Sequence, residues 1–491
     1  MKSVSLKSKM FYLSLMAFAL FVNLNACSKN NNPDEPDPDT LKVASAQAWL
    51  TKGDKSVLFE HQSDLPITHP GAAGWPEVVV DTNYQFQEIE GYGAALTGSS
   101  AYLFHRALDP SQRQYILKQL FDPKEGIGLS YLRLTMGASD FSLSDFTYND
   151  LPQGQVDISL AKFSLSRDTE DVVPILKEII AINPEIKLMG TPWSPPAWMK
   201  TNGSLKGGQL KKEFYSVYAQ YFVKYIKEMQ KQGIAIDAIT PQNEPLYWTA
   251  GYPCMQMQAD EQKEFIRDHL GPAFESAGLQ TKIIVYDHNW DHPEYATAIL
   301  SDPNAAKYIA GSAFHAYAGD VSAMSTVHEA YPDKGLYFTE ISGGEWAVNF
   351  SDNLMWYMKN ILIGTARNWS RNALFWNLAL DQNHGPRNNG CQDCRGVVTI
   401  TNGGGSIIRN EEFYALAHFS KFVRPGAHRI YSRPDQVLMN MDFVAFQNID
   451  GQKVLVAANY NDVYKTFTVR QTNRSFSYSL APKSVVTLVW K

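Results

Sequence analysis

Short apolar runs alternate with amphipathic stretches from about residue 85 to residue 380, and this alternation constrains the fold more than any other feature. Eight runs have the apolar and β-branched character of buried strands, namely residues 91–96, 129–135, 187–191, 236–241, 282–286, 312–315, 336–339 and 373–376. Most of the intervals between them contain an amphipathic helix. Eight strand–helix units over roughly 300 residues predict an α/β fold, a (β/α)8 TIM barrel, whose usual size is about 250 residues.

Two of these intervals show the helical period clearly. Helical spacing in residues 169–182 gives one apolar face, which is formed by Val172, Ile175, Leu176, Ile179 and Ile180. The next interval carries an aromatic stripe at the same period, formed by Phe214, Tyr218, Tyr221, Phe222 and Tyr225. Such a stripe resembles a sugar-binding platform, but helical spacing favours a buried core face.

The two ends of the chain have a different pattern. Short alternating runs separated by polar turn formers predict an antiparallel β-sandwich at 426–491. Residues 41–80 also have the pattern of extended segments, and we expect them to join that sandwich. The small domain would then be discontinuous, with the barrel at 81–425 between its two parts.

The N-terminus has the pattern of an export signal. Three lysines precede an apolar run at 10–22, which is too short to span a membrane as a mature helix. Residues 24–27 read Leu-Asn-Ala-Cys and resemble the lipobox of bacterial lipoproteins, whose signal is cleaved before an acylated cysteine. We therefore predict a signal peptide at 1–26, a solvated tether at 27–40 and an exported protein anchored to a lipid membrane through Cys27. An ordinary signal peptide with an incidental cysteine is the alternative.

Composition and charge exclude several classes of function. Hydrophobic residues make up 44% of the chain and charged residues 19%, which describes a globular protein with a large core. The net charge of −6 is spread along the chain without a basic stripe, so nucleic acid is not a predicted partner. Cys391 and Cys394 lie in a Gly/Asn-rich loop without a second cysteine pair or nearby histidines, which favours a small disulfide over a zinc site.

Polar and aromatic side chains crowd the carboxyl ends of the predicted strands, where an α/β barrel builds its active site. The fourth strand runs into Asn243 and Glu244, and the seventh ends at Glu340. The other strand ends contribute Arg133, Asp140, Trp193, His315, Tyr317 and Trp376. Two carboxylates at one rim are the minimum for cleaving a glycosidic bond, one as acid and one as nucleophile or base. Each residue alone also has an ordinary structural interpretation, such as a core histidine for His315.

Six segments along the chain resemble those of a known family. They are residues 90–97 (EGYGAALT), 133–141 (RLTMGASDF), 192–203 (PWSPPAWMKTNG), 242–245 (QNEP), 251–253 (GYP) and 376–380 (WNLAL). Together with residues 418–426 they resemble glycoside hydrolase family 30, the family of glucosylceramidases and of fungal and bacterial β-1,6-glucanases. The resemblance covers residues from about 80 to 491. It implies a barrel with a β-sandwich, retention of configuration, and no metal or cofactor.

The same resemblance implies roles for individual residues. Glu244 matches the acid/base and Glu340 the nucleophile. Apart from the resemblance, the nucleophile must stay ionised, which a nearby cation such as Arg133 would favour. Matches to sugar-binding positions and their neighbours are Asp140, Trp193, Asn243, Tyr252, His315, Tyr317 and Trp376. The chain departs from the family at Ala316, where glucosylceramidases carry a bulky aromatic residue, and this departure weakens a ceramide-glycoside assignment.

These observations predict a retaining hydrolase of β-glucosidic linkages, acting on a β-glucan oligo- or polysaccharide, with β-1,6-glucan favoured. A glucosylceramidase-type β-glucosidase is the first alternative, followed by a β-xylosidase or β-fucosidase. A surface glycan-binding lipoprotein on an inactive barrel is the non-enzymatic alternative. The presence of both Glu244 and Glu340 argues against it, because a pure binding protein does not need the pair.

Overall fold

The structure is a computed structural model that describes residues 44–68, 74–401 and 405–491. The predicted signal peptide, the tether and Cys27 lie outside these described residues. Within the described ranges no helix is long and apolar enough to cross a membrane.

Eight parallel strands form the barrel, which confirms the predicted fold. In chain order, barrel strands one to eight are Gly91–Leu96, Tyr131–Thr135, Lys187–Thr191, Ala238–Ile239, Lys282–Asn289, Ile309–His315, Gly335–Glu340 and Asn372–Asn377. Strands one to seven pair in chain order, and strand eight pairs with strand one. Strands seven and eight are linked more weakly, by a bridge between Leu336 and Ser370 and by the Phe338 N–H, which donates to the Asn372 side chain at 2.8 Å.

Helices follow the barrel strands and pack against their outer faces. The α-helices are Gly98–Tyr102, Pro110–Phe121, Val172–Ile182, Tyr215–Lys231, Ala259–Phe265, Gly271–Ser276, Pro293–Leu300, Pro303–Ala306, Ser322–Ala330, Phe350–Trp356, Ile363–Arg367 and Glu411–Ser420. Single π-helical segments occur at Leu103–Ala107, Ile266–Leu270 and Tyr357–Leu362. The aromatic stripe beginning at Phe214 is buried in the main core, so its interpretation as a core face rather than a sugar platform is confirmed.

A plug of side chains fills the inside of the barrel. Strands two to eight each contribute to this separate apolar cluster, which consists of Tyr131, Met189, Ala238, Ile284, Ala313, Tyr337 and Leu374. A packed interior leaves no channel through the barrel. Polar residues at the carboxyl ends of the strands therefore lie on the floor of a site that opens to one side only.

The small domain is a ten-stranded, mostly antiparallel sheet that takes strands from both ends of the described chain. Its strands are Ser45–Lys52, Leu58–His61, Leu65–Pro66, Glu77–Glu88, His428–Pro434, Met441–Gln447, Lys453–Asn459, Lys465–Gln471, Arg474–Leu480 and Ser484–Trp490. The strand Glu77–Glu88 pairs with His428–Pro434, so the predicted boundary at residue 80 lies inside a strand and the sandwich continues to Glu88. The strand continues to Glu88 although it contains the turn formers Asp81 and Asn83 just after the predicted boundary.

The helix Glu411–Ser420 joins the two domains. His418 on this helix is fully buried, and its two ring nitrogens lie 2.8 Å from the hydroxyls of Thr51 and Thr487 in the sandwich. Burial lowers the pKa of His418 to about 3, so the imidazole is neutral and both of its nitrogens are satisfied. The barrel and the sandwich therefore pack through a specific polar contact as well as an apolar core.

Candidate active site

Glu244 and Glu340 meet at the carboxyl rim of the barrel. Glu340 ends barrel strand seven, and Glu244 lies in the loop that follows strand four. One carboxylate oxygen from each and one ring nitrogen of His315 lie within 4.8 Å of one another. Retaining glycosidases hold their two carboxyl groups about 5–5.5 Å apart, whereas inverting enzymes need about 6.5–9.5 Å to admit a water molecule. The separation observed here matches the retaining class.

The backbone at Glu244 is held in an uncommon conformation. Its φ of 44° lies in the left-handed region, which costs a non-glycine residue about 1–3 kcal/mol. Two hydrogen bonds support it: the Glu244 N–H donates to the Asp287 carbonyl at 3.0 Å, and the Asn243 N–H donates to the Pro192 carbonyl at 2.9 Å. The loop after strand four is thereby tied to strands three and five, which fixes the direction of the Glu244 side chain.

Arg133 on barrel strand two organises the floor of the site. Its guanidinium is fully buried and donates to Glu340, to Asn243 Oδ1 at 2.7 Å and to Asp287 Oδ2 at 2.8 Å. Arg133 on strand two is therefore linked to strands five and seven and to the loop after strand four. A buried guanidinium in direct contact with a carboxyl group favours the ionised form of that carboxyl.

Asp287 is a buried member of the site that was not predicted from the sequence. Its carboxylate accepts from Arg133, from Thr240 Oγ1 at 2.7 Å and from Thr339 Oγ1 at 2.7 Å, and it lies 3.1 Å from His315 Nε2. Burial alone would raise the pKa of Asp287, but the Arg133 and His315 cations together with the hydroxyl donors lower it. Asp287 is therefore a permanent anion that positions Arg133 and His315.

A bulge in strand five explains how Asp287 reaches this position. The pairing with strand six skips from Tyr286 to His288, and both Tyr286 and Asp287 have positive φ angles, of 75° and 66°. The extra residue turns the Asp287 side chain toward the barrel axis. The predicted strand ended at Tyr286, whereas the observed strand continues through the bulge to Asn289, so Asp287 lay beyond the predicted strand end.

His315 connects the two anionic parts of the site. Its Nδ1 lies 3.2 Å from Glu244 Oε1, and its Nε2 faces Asp287. Burial would lower the pKa of His315, but the charges of Glu340, Asp287 and Glu244 raise it to about 9. Burial alone would raise the pKa of Glu244. The hydrogen bond and the positive charge of His315 outweigh burial and lower that pKa. Glu244 and His315 therefore share one proton between them near neutral pH.

Glu340 is surrounded by donors and by like charges. Burial raises its pKa, aided by the charges of Glu244 and Asp287 and opposed by those of His315 and Arg133. The hydroxyl of Tyr317 donates to Glu340 Oε1 at 3.0 Å. Arg133 and Tyr317 thus each direct a donor at Glu340, and both favour its ionised form.

Aromatic rings wall the site next to these carboxyl groups. The rings of Trp193 and Trp376 are stacked with their centroids 5.1 Å apart, and the Arg133 guanidinium lies within 5.4 Å of both rings. Asp140 lies in the same pocket, because its carboxyl group is hydrogen-bonded to the Trp376 side chain, and burial with the charges of Glu340 and Glu244 raises its pKa well above the usual range. Tyr252 packs against the apolar cluster that contains Trp193 and Trp376, and burial with the charges of Asp140 and Glu244 raises the pKa of its phenol. The structure thus brings every sequence-predicted site residue of the barrel to one rim.

A disulfide packs against the two tryptophans of the site. Cys391 and Cys394 are paired, with their Cα atoms 5.6 Å apart, which confirms the predicted loop disulfide. Both cysteines pack in the apolar cluster that contains Trp193 and Trp376. Gly390 beside them approaches so closely that a Cβ atom there would lie 2.7 Å from Asp140 Cβ. The loop therefore fits tightly over Asp140.

The same donor atoms of Glu244, His315 and Glu340 converge closely enough to ligate a cation. His315 with its raised pKa is a cation itself, however, and the Arg133 guanidinium already contacts Glu340. Two positive groups beside the carboxylates disfavour a metal ion at this position. The arrangement fits acid/base and nucleophilic chemistry by the carboxyl groups themselves.

A barrel that holds two close carboxyl groups beside stacked tryptophans at its carboxyl rim defines a glycoside hydrolase. Residues 89–423 match the glycosyl hydrolase family 30 TIM-barrel domain, and residues 426–488 match the glycosyl hydrolase family 30 beta sandwich domain. The chain belongs to glycosyl hydrolase family 30, and the start of the barrel match at residue 89 agrees with the strand pairing that places Glu77–Glu88 in the sandwich.

Relatives of known description extend over most of the chain. The Endo-1,6-beta-D-glucanase of Neurospora crassa is 34% identical over 471 residues, which cover 90% of this chain and 94% of the relative. The lysosomal acid glucosylceramidase of Mus musculus is 31% identical over 435 residues, covering 83% of this chain and 82% of the relative. Among solved structures, the endo-beta1,6-glucanase BT3312 superposes with a TM-score of 0.84 at 36% identity, covering 91% of this chain and 99% of that one.

Proposed function

We propose that this protein is a retaining glycoside hydrolase that cleaves β-1,6-linked glucan. The separation of at most 4.8 Å between oxygens of Glu244 and Glu340 is the observation that carries the retaining mechanism. The linkage rests on the β-1,6-glucanase relatives, which match this chain at 34% and 36% identity over nine-tenths of its length. A relative at 31% identity supports the glucosylceramidase alternative less strongly.

The first step forms a glycosyl-enzyme intermediate. A carboxylate oxygen of Glu340 bonds to the anomeric carbon while the bond from that carbon to the leaving chain's oxygen breaks. Glu244 gives its proton to that oxygen, so the leaving chain departs as a neutral alcohol. Since Glu244 and His315 share one proton across 3.2 Å, we propose that the imidazole passes this proton to Glu244, which donates it to the leaving oxygen and remains as a carboxylate beside a neutral imidazole.

The second step releases the sugar with its original configuration. Glu244, now a carboxylate, removes a proton from a water molecule, whose oxygen bonds to the anomeric carbon as the ester bond to Glu340 breaks. Two inversions at the same carbon give net retention. Glu340 leaves as a carboxylate, which Arg133 and Tyr317 stabilise through their hydrogen bonds.

Neighbouring residues have roles in holding the sugar ring. Asn243 Oδ1 accepts from Arg133, which leaves the Asn243 amide nitrogen to donate to the sugar 2-hydroxyl. Trp193 and Trp376 offer apolar surface to the C–H face of the ring. Asp140 and Tyr252 form hydrogen bonds with the outer hydroxyls of the ring. A contact at the 2-hydroxyl that strengthens as the ring flattens contributes to the rate rather than to binding alone.

The wild-type protein is expected to release gluco-oligosaccharides from linear β-1,6-glucan and to act much more slowly on glucosylceramide. Ala316 supports this preference, since it lines an open cavity of about 460 Å³ at the rim where a bulky ring would reduce the space. Product profiles on β-1,6-glucan, β-1,3-glucan and glucosylceramide measure the linkage preference, and proton NMR of the first products measures the anomer. Initial release of the α-anomer contradicts the retaining mechanism, and a preference for glucosylceramide contradicts the substrate.

Membrane attachment through an acylated Cys27 is a further part of the proposal, and the apolar run before that cysteine supports it. Cys27→Ala is expected to move the protein from the membrane to the soluble fraction without changing its specific activity, because a tether separates the anchor from the barrel. Fractionation and uptake of labelled fatty acid measure this. Unchanged membrane partition of the variant, or no label on the native protein, would contradict it.

A further inference from the structure

A groove leads away from the active site across the helix Phe350–Trp356 to the β-sandwich. It consists of two cavities, each of about 460 Å³, which adjoin at Asp352 and Trp356. The inner cavity is lined by Ala316, Tyr317 and the loop 341–347, and the outer one reaches the sandwich residues Asn440, Met441, Asp442 and Tyr460. The groove is continuous with the active site, because the Tyr317 hydroxyl donates to Glu340. It is called the distal groove below.

Two tryptophans in the distal groove expose unusually large fractions of their surface. Trp346 is 56% exposed and Trp356 is 42% exposed. The ring of Trp346 lies against Gly344, where a Cβ atom would come within 2.0 Å of the ring. A glycine at that position therefore allows the ring to lie flat on its own loop, with its other face open to the groove.

The loop that carries Trp346 is held rigidly although the ring itself is exposed. The Ala347 N–H donates to the Gly344 carbonyl at 3.2 Å, and the Asn353 side chain donates to the Ala347 carbonyl at 2.7 Å. The Glu345 N–H donates to the Asp393 carbonyl at 2.9 Å, next to the disulfide. An exposed aromatic ring on a fixed loop is preorganised for binding, because little conformational entropy is lost when a ligand covers it.

Polar groups accompany the two rings. Asp352 lies one helical turn before Trp356, so both side chains project from the same face of the helix. Its exposed carboxylate has no hydrogen-bond or ion-pair partner among the described residues. Asn440 and Asp442 add hydrogen-bonding groups at the sandwich end. Apolar faces next to free acceptors match a pyranose ring, which has a C–H face and equatorial hydroxyls, and they disfavour a lipid chain.

We propose that the distal groove binds further glucose residues of the β-1,6-glucan chain, beyond those in contact with the catalytic carboxyl groups. This inference rests on the proposed function and deepens it by assigning the path of the polymer. The chain leaves the active site past Tyr317 and Ala316, stacks on Trp346, and crosses Trp356 toward the sandwich. The small Ala316 side chain is what keeps the entrance to this path open.

Trp346→Ala and Trp356→Ala test the proposal, with Trp75→Ala as the matched control. Trp75 is also 56% exposed but does not line the groove. We expect each groove variant to lower kcat/KM on β-1,6-glucan about three- to tenfold, mainly through KM, as the loss of part of an apolar contact predicts. The loss on an aryl β-glucoside should stay below twofold, because that substrate does not reach the groove. The control should match the wild type on both substrates.

Chain length provides a second measurement. Wild-type kcat/KM should rise with the length of β-1,6-gluco-oligosaccharides, and this rise should flatten in both groove variants. Gly344→Ala should behave as Trp346→Ala does, because the added Cβ displaces the ring without removing it. If the wild type cleaves β-1,6-glucan but the groove variants behave like Trp75→Ala, the groove proposal is wrong and the proposed function stands. Equal losses on polymer and aryl glucoside also overturn the groove proposal, and a wild type that does not cleave β-1,6-glucan overturns both the groove and the proposed function.

Discussion

Glu340→Gln is expected to reduce turnover by about 10⁴-fold or more, the range seen when a catalytic nucleophile is removed. A neutral amide oxygen does not form a stable bond to the anomeric carbon, so no glycosyl-enzyme intermediate accumulates. Glutamine keeps the shape of the side chain, and Arg133 retains Asp287 as an ionic partner. Steady-state kinetics on an aryl β-glucoside and on β-1,6-glucan measure the loss.

Binding and folding serve as controls for this variant. The midpoint of thermal unfolding should stay within a few degrees of the wild type, since no cavity is created. Gluco-oligosaccharides should still bind in a calorimetric titration, because the tryptophan walls are unchanged. Retention of most of the wild-type activity would show that Glu340 is not the nucleophile, whereas loss of both activity and thermal stability would indicate a structural role.

Glu244→Ala is expected to affect substrates according to their leaving groups. Glucan linkages leave as poorly acidic alcohols and depend on a proton from Glu244, so their hydrolysis should fall by about 10²- to 10⁴-fold. Aryl glucosides with acidic phenols need little protonation, and the formation of their glycosyl-enzyme should be much less affected. Rates measured over a series of aryl glucosides should therefore depend more steeply on leaving-group pKa in the variant than in the wild type.

Azide provides the diagnostic control for Glu244→Ala. The small anion fits the space left by the side chain and attacks the glycosyl-enzyme without base assistance, so added azide should restore turnover of aryl glucosides. The product should be a β-glucosyl azide, because attack occurs on the face opposite Glu340. Formation of the α-azide, or no rescue at any azide concentration, would contradict the assignment of the two carboxyl groups.

Much of the fold follows from local pattern. Strand-like runs recur eight times, with helical periods in most of the intervals, and this order is sufficient for a parallel barrel because right-handed βαβ connections leave few alternatives. The strand that ends at Glu340 is read directly from six residues of sequence. The boundary of the sandwich was less accurate, because the strand Glu77–Glu88 pairs with a partner some 340 residues away along the chain, and nothing local indicates where that pairing ends.

Some parts of the candidate site were predicted from the sequence, and others are visible only in the structure. Glu244, Glu340 and the tryptophans were found because residues at the carboxyl ends of barrel strands meet at one rim. Asp287 was missed because its inward direction depends on a bulge at Tyr286 and Asp287, and a single extra residue in a strand leaves no periodic signal. The distal groove was also invisible in the sequence, since Trp346 and Trp356 look like two ordinary aromatic residues until their exposure is known.

The sequence by itself determined the barrel, the sandwich, the family and the two carboxyl groups at the rim, because all of these depend on periodicity or on continuous motifs. The tertiary structure alone decided which groups share charge and protons. Arg133 contacts Glu340, Asn243 and Asp287, which are 207, 110 and 154 residues away along the chain. Contacts of this kind form only when separate strands close into one barrel, and the pKa values of the site follow from those contacts and from burial.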